Sequence, residues 1–195
     1  MEFIIDQLTT WWQFTLAGVL IIVGWIINLF GVDQEEDIVG LSFKEMPQMK
    51  PITIETAGKG FWGAIWLWLT GSRTWEITKD WQFTVNEQNY VVPKGFVFDG
   101  ASIPKFLRSW LSPVGVLLIG GLVHDYVYKY TVLLKKGKKS TTDPMTQKEA
   151  DELFRDINIE QNGFHFLNNL AYWSLRVGGF VAWNGHRKVG AKALD

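Results

Sequence analysis

The chain contains no cysteine. Disulfides, thiolate catalysis and Cys-type zinc sites are therefore excluded. Lys and Arg are absent from the first 40 residues, where six acids stand: Glu2, Asp6, Asp33, Glu35, Glu36 and Asp37. The rest of the chain holds the other 14 acids and all 19 bases, a balance of +5. That balance is too weak to argue for a nucleic-acid partner. A mildly basic domain behind an acidic neck suits anionic lipid headgroups instead. Charge of either sign is missing from Gln7 to Val32.

The densest part of that uncharged run, Phe14 to Gly31, is 18 residues long. A helix of about 20 residues crosses the hydrocarbon core of a bilayer. Extending back to Trp11 and Trp12 supplies the length and places aromatic rings at one interface, while Trp25 and Phe30 lie nearer the other. A cleaved signal peptide needs a basic start and a small-residue cleavage site. Glu2 and Asp6 occupy the start, and Asn28-Leu-Phe-Gly-Val-Asp33 is a poor cleavage site. Residues 1–32 therefore predict a retained, single-pass membrane anchor with the lipid bilayer as partner. The nearest base is Lys44, after the run. This leans the carboxy-terminal domain toward the cytoplasm or a virion interior.

Residues 33–51 read as an acidic and proline-containing linker. From 52 to 195 the pattern is that of an α+β domain. Ile52 to Thr56 alternates as a short strand. Phe61 to Leu69 is an apolar run of nine residues, too short to span a bilayer. It reads as a buried core segment or as an interfacial loop dipping its Trp side chains into headgroups. Trp75–Val85 and Tyr90–Pro93 form a hairpin by pattern, followed by a strand at Phe96–Phe98. Asp99 and Ser102 come directly after that strand, a place where a scaffold fixes functional side chains. Asp-Gly is equally a plain turn signal.

Helices are expected at Lys105–Leu111 and from about Val114 to Leu134. Lys135–Pro144 is a polar loop. Thr146-Gln-Lys-Glu149 is a capping box opening a helix to about Gln161. Its apolar stripe is Ala150, Leu153, Phe154 and Ile157, with Asp151 at the edge. Asn162-Gly163 stops it, and a last helix runs from about Phe164 to Trp183.

The chemistry centres on Gly120-Gly-Leu-Val-His124-Asp125-Tyr-Val-Tyr128. His124 and Tyr128 share one helix face at i and i+4, with Asp125 about 100° round the barrel. The paired glycines suit a place where another backbone or a ligand comes close. Placing His124 and Asp125 in lipid would be expensive, so this helix is expected in a protein core. A buried His beside an Asp needs partners. In one arrangement Asp151 bonds His124, which activates a water, while Asp125 and the 95–102 loop hold a hard cation such as calcium. In another, His124, Asp125 and Asp99 all ligate a transition metal. A third is a polar cluster that only locks elements together. His165 and His186 lack helpful neighbours and read as structural or surface residues.

The ordered set Val92-Pro-Lys-Gly-Phe-Val-Phe-Asp-Gly-Ala-Ser-Ile-Pro104, His124-Asp-Tyr-Val-Tyr128, Ala150-Asp-Glu-Leu-Phe154 and Arg176-Val-Gly-Gly resembles the phage- and prophage-associated domain of unknown function 1353, over about residues 75–183. More loosely, His-Asp-x-x-Tyr resembles the catalytic helix of secreted phospholipase A2. That resemblance implies His124 as base, Asp125 as calcium ligand, Tyr128 as a supporting donor and Asp151 as the acid that orients the imidazole. The chain departs from those enzymes in lacking cysteines and their glycine- and cysteine-rich calcium loop, so the likeness concerns a site and not a fold.

The expectation is an α+β domain: a small antiparallel sheet from residues 52–98 on three to four helices from 105–183, tethered by one transmembrane helix. Its function is read as a membrane-anchored hydrolase acting on phospholipid or cell-envelope substrates. His124 and Asp151 would be catalytic, Asp125 and Asp99 would bind calcium or another divalent cation, and Tyr128 and Ser102 would support them. The alternative is a noncatalytic phage or prophage membrane or virion protein, contacting other phage or membrane proteins.

Overall fold

Alternation of large apolar and polar side chains sets the strand regions, and in a computed structural model they pair into two small antiparallel sheets. The structure describes residues 39–53, 57–70, 74–99, 117–137 and 140–189, with positions 19, 22 and 26 before them. The predicted transmembrane anchor falls outside the described residues, apart from those three isolated positions. The 105–111 helix and Ser102 also fall outside them. Among the described residues no helix is long and apolar enough to cross a membrane.

One sheet has the order β1 (Ser42–Phe43), β4 (Trp81–Val85), β5 (Gln88–Val92), β7 (Leu134–Lys135). The other has β2 (Met49–Ile52), β3 (Thr74–Ile77), β6 (Val97–Phe98). The continuous strand expected from Trp75 to Val85 is thus two strands in different sheets, interrupted at Thr78-Lys79-Asp80. The hairpin turn is only Asn86-Glu87, both at positive φ (48° and 63°), which matches the twist of a two-residue connection. Part of the expected linker is built into the domain: β1 and β2 lie within or across it. The backbone amides of Val39 and Leu41 bond the carboxylate of Glu160 at 3.0 and 2.5 Å.

Five helices are described, one of them ahead of the 105–183 region where helices were expected. Residues 61–69 form neither a strand nor a loop but most of α1 (Gly60–Thr70), on which Phe61, Trp62 and Trp66 are exposed. The His-Asp helix is α2 (Leu118–Tyr130), ending sooner than expected because Thr131 turns left-handed at φ 64°. It lies in the protein core: Ile119 to Tyr128 are all buried. The capping box at Thr146 forms as expected and opens α3 (Gln147–Asn162), which Gly163 stops at φ 66°. The single last helix is instead two, α4 (His165–Gly178) and α5 (Phe180–Val189), meeting at Gly179.

Along β4, Trp81, Phe83 and Val85 face inward while Gln82 faces out. Trp81 and Phe83 stack at 4.8 Å between ring centroids. Phe96 meets Tyr126 of α2 edge-on at 5.0 Å, joining sheet and helix into one core. On its other sides α2 packs against α3 and α5.

Candidate active site

Close helix approach makes the site possible. A side chain at Gly120 would run into the side chain of Asn158 on α3. With only hydrogen there, the Gly120 amide donates to Asn158 Oδ1 at 3.2 Å. This amide is in the first turn of α2, where backbone donors lack partners within the helix. Asn158 in turn donates to the Phe154 carbonyl at 2.9 Å, so the buried amide is used at both ends. The close approach expected from the glycines is therefore to a neighbouring helix.

Pinned this way, α3 presents Asp151 to α2. Asp151 is 0% exposed and His124 1%. The His124 Nε2 to Asp151 Oδ1 distance is 3.0 Å, and the Tyr128 hydroxyl donates to the same oxygen at 2.6 Å. Arg176 of α4 donates to Oδ2 at 2.8 Å. Gln147 donates to the Tyr128 hydroxyl at 3.3 Å. His124 and Tyr128 share a face as their spacing predicts, with ring centroids 3.9 Å apart.

Burial works against the Asp151 charge, but donation from His124, Tyr128 and Arg176 overrides it and holds the carboxyl below the ordinary aspartate range. An ionised carboxylate only accepts, so Nε2 must carry a hydrogen. In the neutral ring Nδ1 is then the basic nitrogen. Nδ1 has no hydrogen-bond partner among the described residues. The Asp125 carboxylate stands 3.6 Å away, too far for a hydrogen bond but close enough to be felt electrostatically. Burial pulls the imidazole down, while Asp125 and Asp151 together more than offset it, leaving His124 above its ordinary value. Burial and the Asp151 charge push the Tyr128 phenol up, so it stays a neutral donor.

A cleft of about 350 Å³ lies beside this network. Asp99, Asp125, Tyr128, Lys129, Ala182 and His186 line it. Of the sequence-predicted residues, His124, Tyr128 and Asp151 are thus in direct contact, and Asp125 connects them to the cleft that Asp99 also borders. His124 itself is not on the cleft wall. No group of three His, Asp or Glu side chains that could hold a metal ion occurs among the described residues. The expected calcium arrangement also calls on oxygens of the 95–102 loop, of which residues 100–102 lie outside the described residues.

Sequence reasoning missed three residues. Arg176 was visible only as part of a motif; a base in the last turn of a helix ordinarily complements the helix dipole, so its bond to Asp151 was not legible. His186 lines the cleft, its imidazole lowered by burial and by nearby Arg187 and Lys129, with Asp99 opposing. Arg187 donates to the Tyr128 and Lys129 carbonyls at 2.6 and 3.0 Å, closing the carboxy-terminal end of α2. Gly179 has a steric role like that of Gly120: a side chain there would strike the Tyr128 hydroxyl and the Leu175 carbonyl.

No curated protein and no solved structure matches this chain. A family model described as protein of unknown function DUF1353 matches residues 75–175, a little over half of the 195 residues. The match includes β3 to β6, His124, Asp125, Tyr128 and Asp151, and stops one residue short of Arg176. On the strength of that match, the chain belongs to the DUF1353 family.

Proposed function

We propose that this protein is a membrane-anchored hydrolase in which His124 is the general base, acting on an ester or amide of a phospholipid or cell-envelope molecule. One observation carries the reading: Asp151 fixes Nε2, and the opposite nitrogen, Nδ1, is left without a hydrogen-bond partner among the described residues. Nδ1 faces the Asp125 carboxylate at 3.6 Å, beyond hydrogen-bond distance, so its lone pair is left to take a proton that Asp125 then steadies. A base needs that nitrogen available.

In this reading a local opening at the Asp125 edge of the cleft admits a water to Nδ1, which is buried at rest; the water gives a proton to Nδ1, and its oxygen attacks the substrate carbonyl carbon. Collapse of the adduct breaks the bond to the leaving alcohol or amine, which takes the proton back from the imidazolium. Asp151 keeps the ring oriented and steadies the charged form, as its likeness to the secreted phospholipase A2 pairing suggests. No step is routed through a metal ion. Residues 1–32 would hold the enzyme at the bilayer. His124 is raised, so its basic form accumulates above the ordinary imidazole range and turnover should rise with pH there.

The test is hydrolysis of phospholipid and envelope-type ester and amide substrates by the purified chain and by His124→Ala. Loss of activity in a variant that still folds supports the reading; parental activity in that variant ends it. A second reading, a noncatalytic phage or prophage membrane or virion component, is favoured by the 1% exposure of His124. It expects no hydrolysis by the parent and a large loss of stability in the variant.

A further inference from the structure

Beyond the site, α4 and α5 leave large apolar side chains uncovered at neighbouring positions. Trp173 and Val177, at i and i+4, are 62% and 77% exposed, and Phe180 and Val181 continue the face past Gly179 at 53% and 66%. Monomeric proteins seldom leave such a patch without a partner.

We propose that the face formed by Trp173, Val177, Phe180 and Val181 docks the domain on an anionic bilayer surface. Charge favours this occupant. From Gly163 to Leu194 the sequence has no Asp or Glu, while Arg187, Lys188 and Lys192 are present beside Arg176, whose charge Asp151 already takes up. Anionic headgroups complement that segment. A second copy seated on the same face would set like charge against like charge. Trp is also the side chain best suited to the headgroup boundary.

Connectivity favours it too. Gln7 to Val32 carries no charge, and its described positions Val19, Ile22 and Ile26 are helical and exposed. Glu160 of α3 holds Val39 to the domain, seven residues after Val32. Seven residues reach at most about 25 Å. A bilayer that takes up the uncharged run therefore lies within reach of the domain surface. On α5, Val181 belongs to the exposed face while the adjacent Ala182, with His186 one turn on, lines the cleft. Docking would set the cleft beside the headgroups, so that it opens onto groups presented by the membrane. The proposal rests on the anchoring half of the proposed function and not on the hydrolytic half.

The absence of cysteine makes the test direct, because single cysteines can be labelled in the full chain. Val177→Cys, Val181→Cys and, on the hairpin, Gln88→Cys would each carry an environment-sensitive fluorophore. The full chain would be held in nanodiscs of phosphatidylcholine and phosphatidylglycerol. Labels at 177 and 181 should lose emission to nitroxide-labelled lipid and resist aqueous iodide, and the label at 88 should do the reverse. Omitting phosphatidylglycerol should weaken the lipid quenching. Iodide quenching at 177 and 181 overturns the proposal, and so does shielding from both quenchers, which would mean that protein covers the face. Equal quenching without phosphatidylglycerol overturns its anionic part. Failure of the anchor is separate: it appears as release of the chain from vesicles by alkaline carbonate.

Discussion

Replacing Asp151 with Asn changes one oxygen to an amide nitrogen at the meeting point of three donors. The carboxylate now accepts from His124 and Tyr128 on Oδ1 and from Arg176 on Oδ2. An amide has one acceptor oxygen, so its NH₂ must face either Arg176 or the His124–Tyr128 pair. The Arg176 side chain is 29% exposed and can turn to water, so the oxygen should stay with His124 and Tyr128. What is lost is the charge opposite a buried imidazole. Breaking a buried ion pair from one side destabilises by roughly 3–5 kcal/mol. The exposed Arg176 limb adds no more than about 1 kcal/mol.

The sign with pH is definite. His124 is raised, so its contribution is complete below the ordinary imidazole value and fades as pH rises through the raised one. Asp151 is lowered, so its contribution is complete above the ordinary carboxyl value and fades as pH falls through the lowered one. Urea unfolding of Asp151→Asn against the parent should therefore show its largest deficit below the ordinary imidazole value, shrinking as pH rises through the His124 transition. A deficit that does not change across that transition, or one under about 1 kcal/mol below it, would refute the charge reasoning.

Gly120→Ala should lose about 1–3 kcal/mol by overpacking against Asn158, and adding Asn158→Ala should recover part of that loss in the same unfolding assay. Full additivity would mean that the two positions do not meet. Tyr128→Phe removes one hydrogen bond to a charged group and should cost about 1.5–3 kcal/mol. It should also raise the Asp151 pKa, visible as loss of stability starting at a higher pH during acid titration.

How far the sequence reached depended on whether a signal was local. Thr146 and Glu149 lie three residues apart, and their capping box forms as read. His124 and Tyr128 are bound by helix spacing, so their shared face was legible. Asp151 was placed at the edge of a stripe and paired with His124, but its full burial, with Tyr128 and Arg176 as further donors, depends on contacts between elements that local pattern does not show. Trp75–Val85 alternates throughout, and nothing local marks the change of sheet near Asp80. Residues 61–69 form a helix although their short apolar run suits several states. At Gly179, where the last helix breaks, a side chain would strike Tyr128 of another helix, which local pattern does not show.

The most direct measurement concerns the two nitrogens of one ring. With three histidines in the chain, ¹⁵N-histidine labelling gives few enough signals to assign by substitution. At a pH above the His124 transition, Nε2 should show the shift of a protonated nitrogen and Nδ1 that of a bare one. A ring carrying its hydrogen on Nδ1 instead would contradict the site as described, and with it the general base.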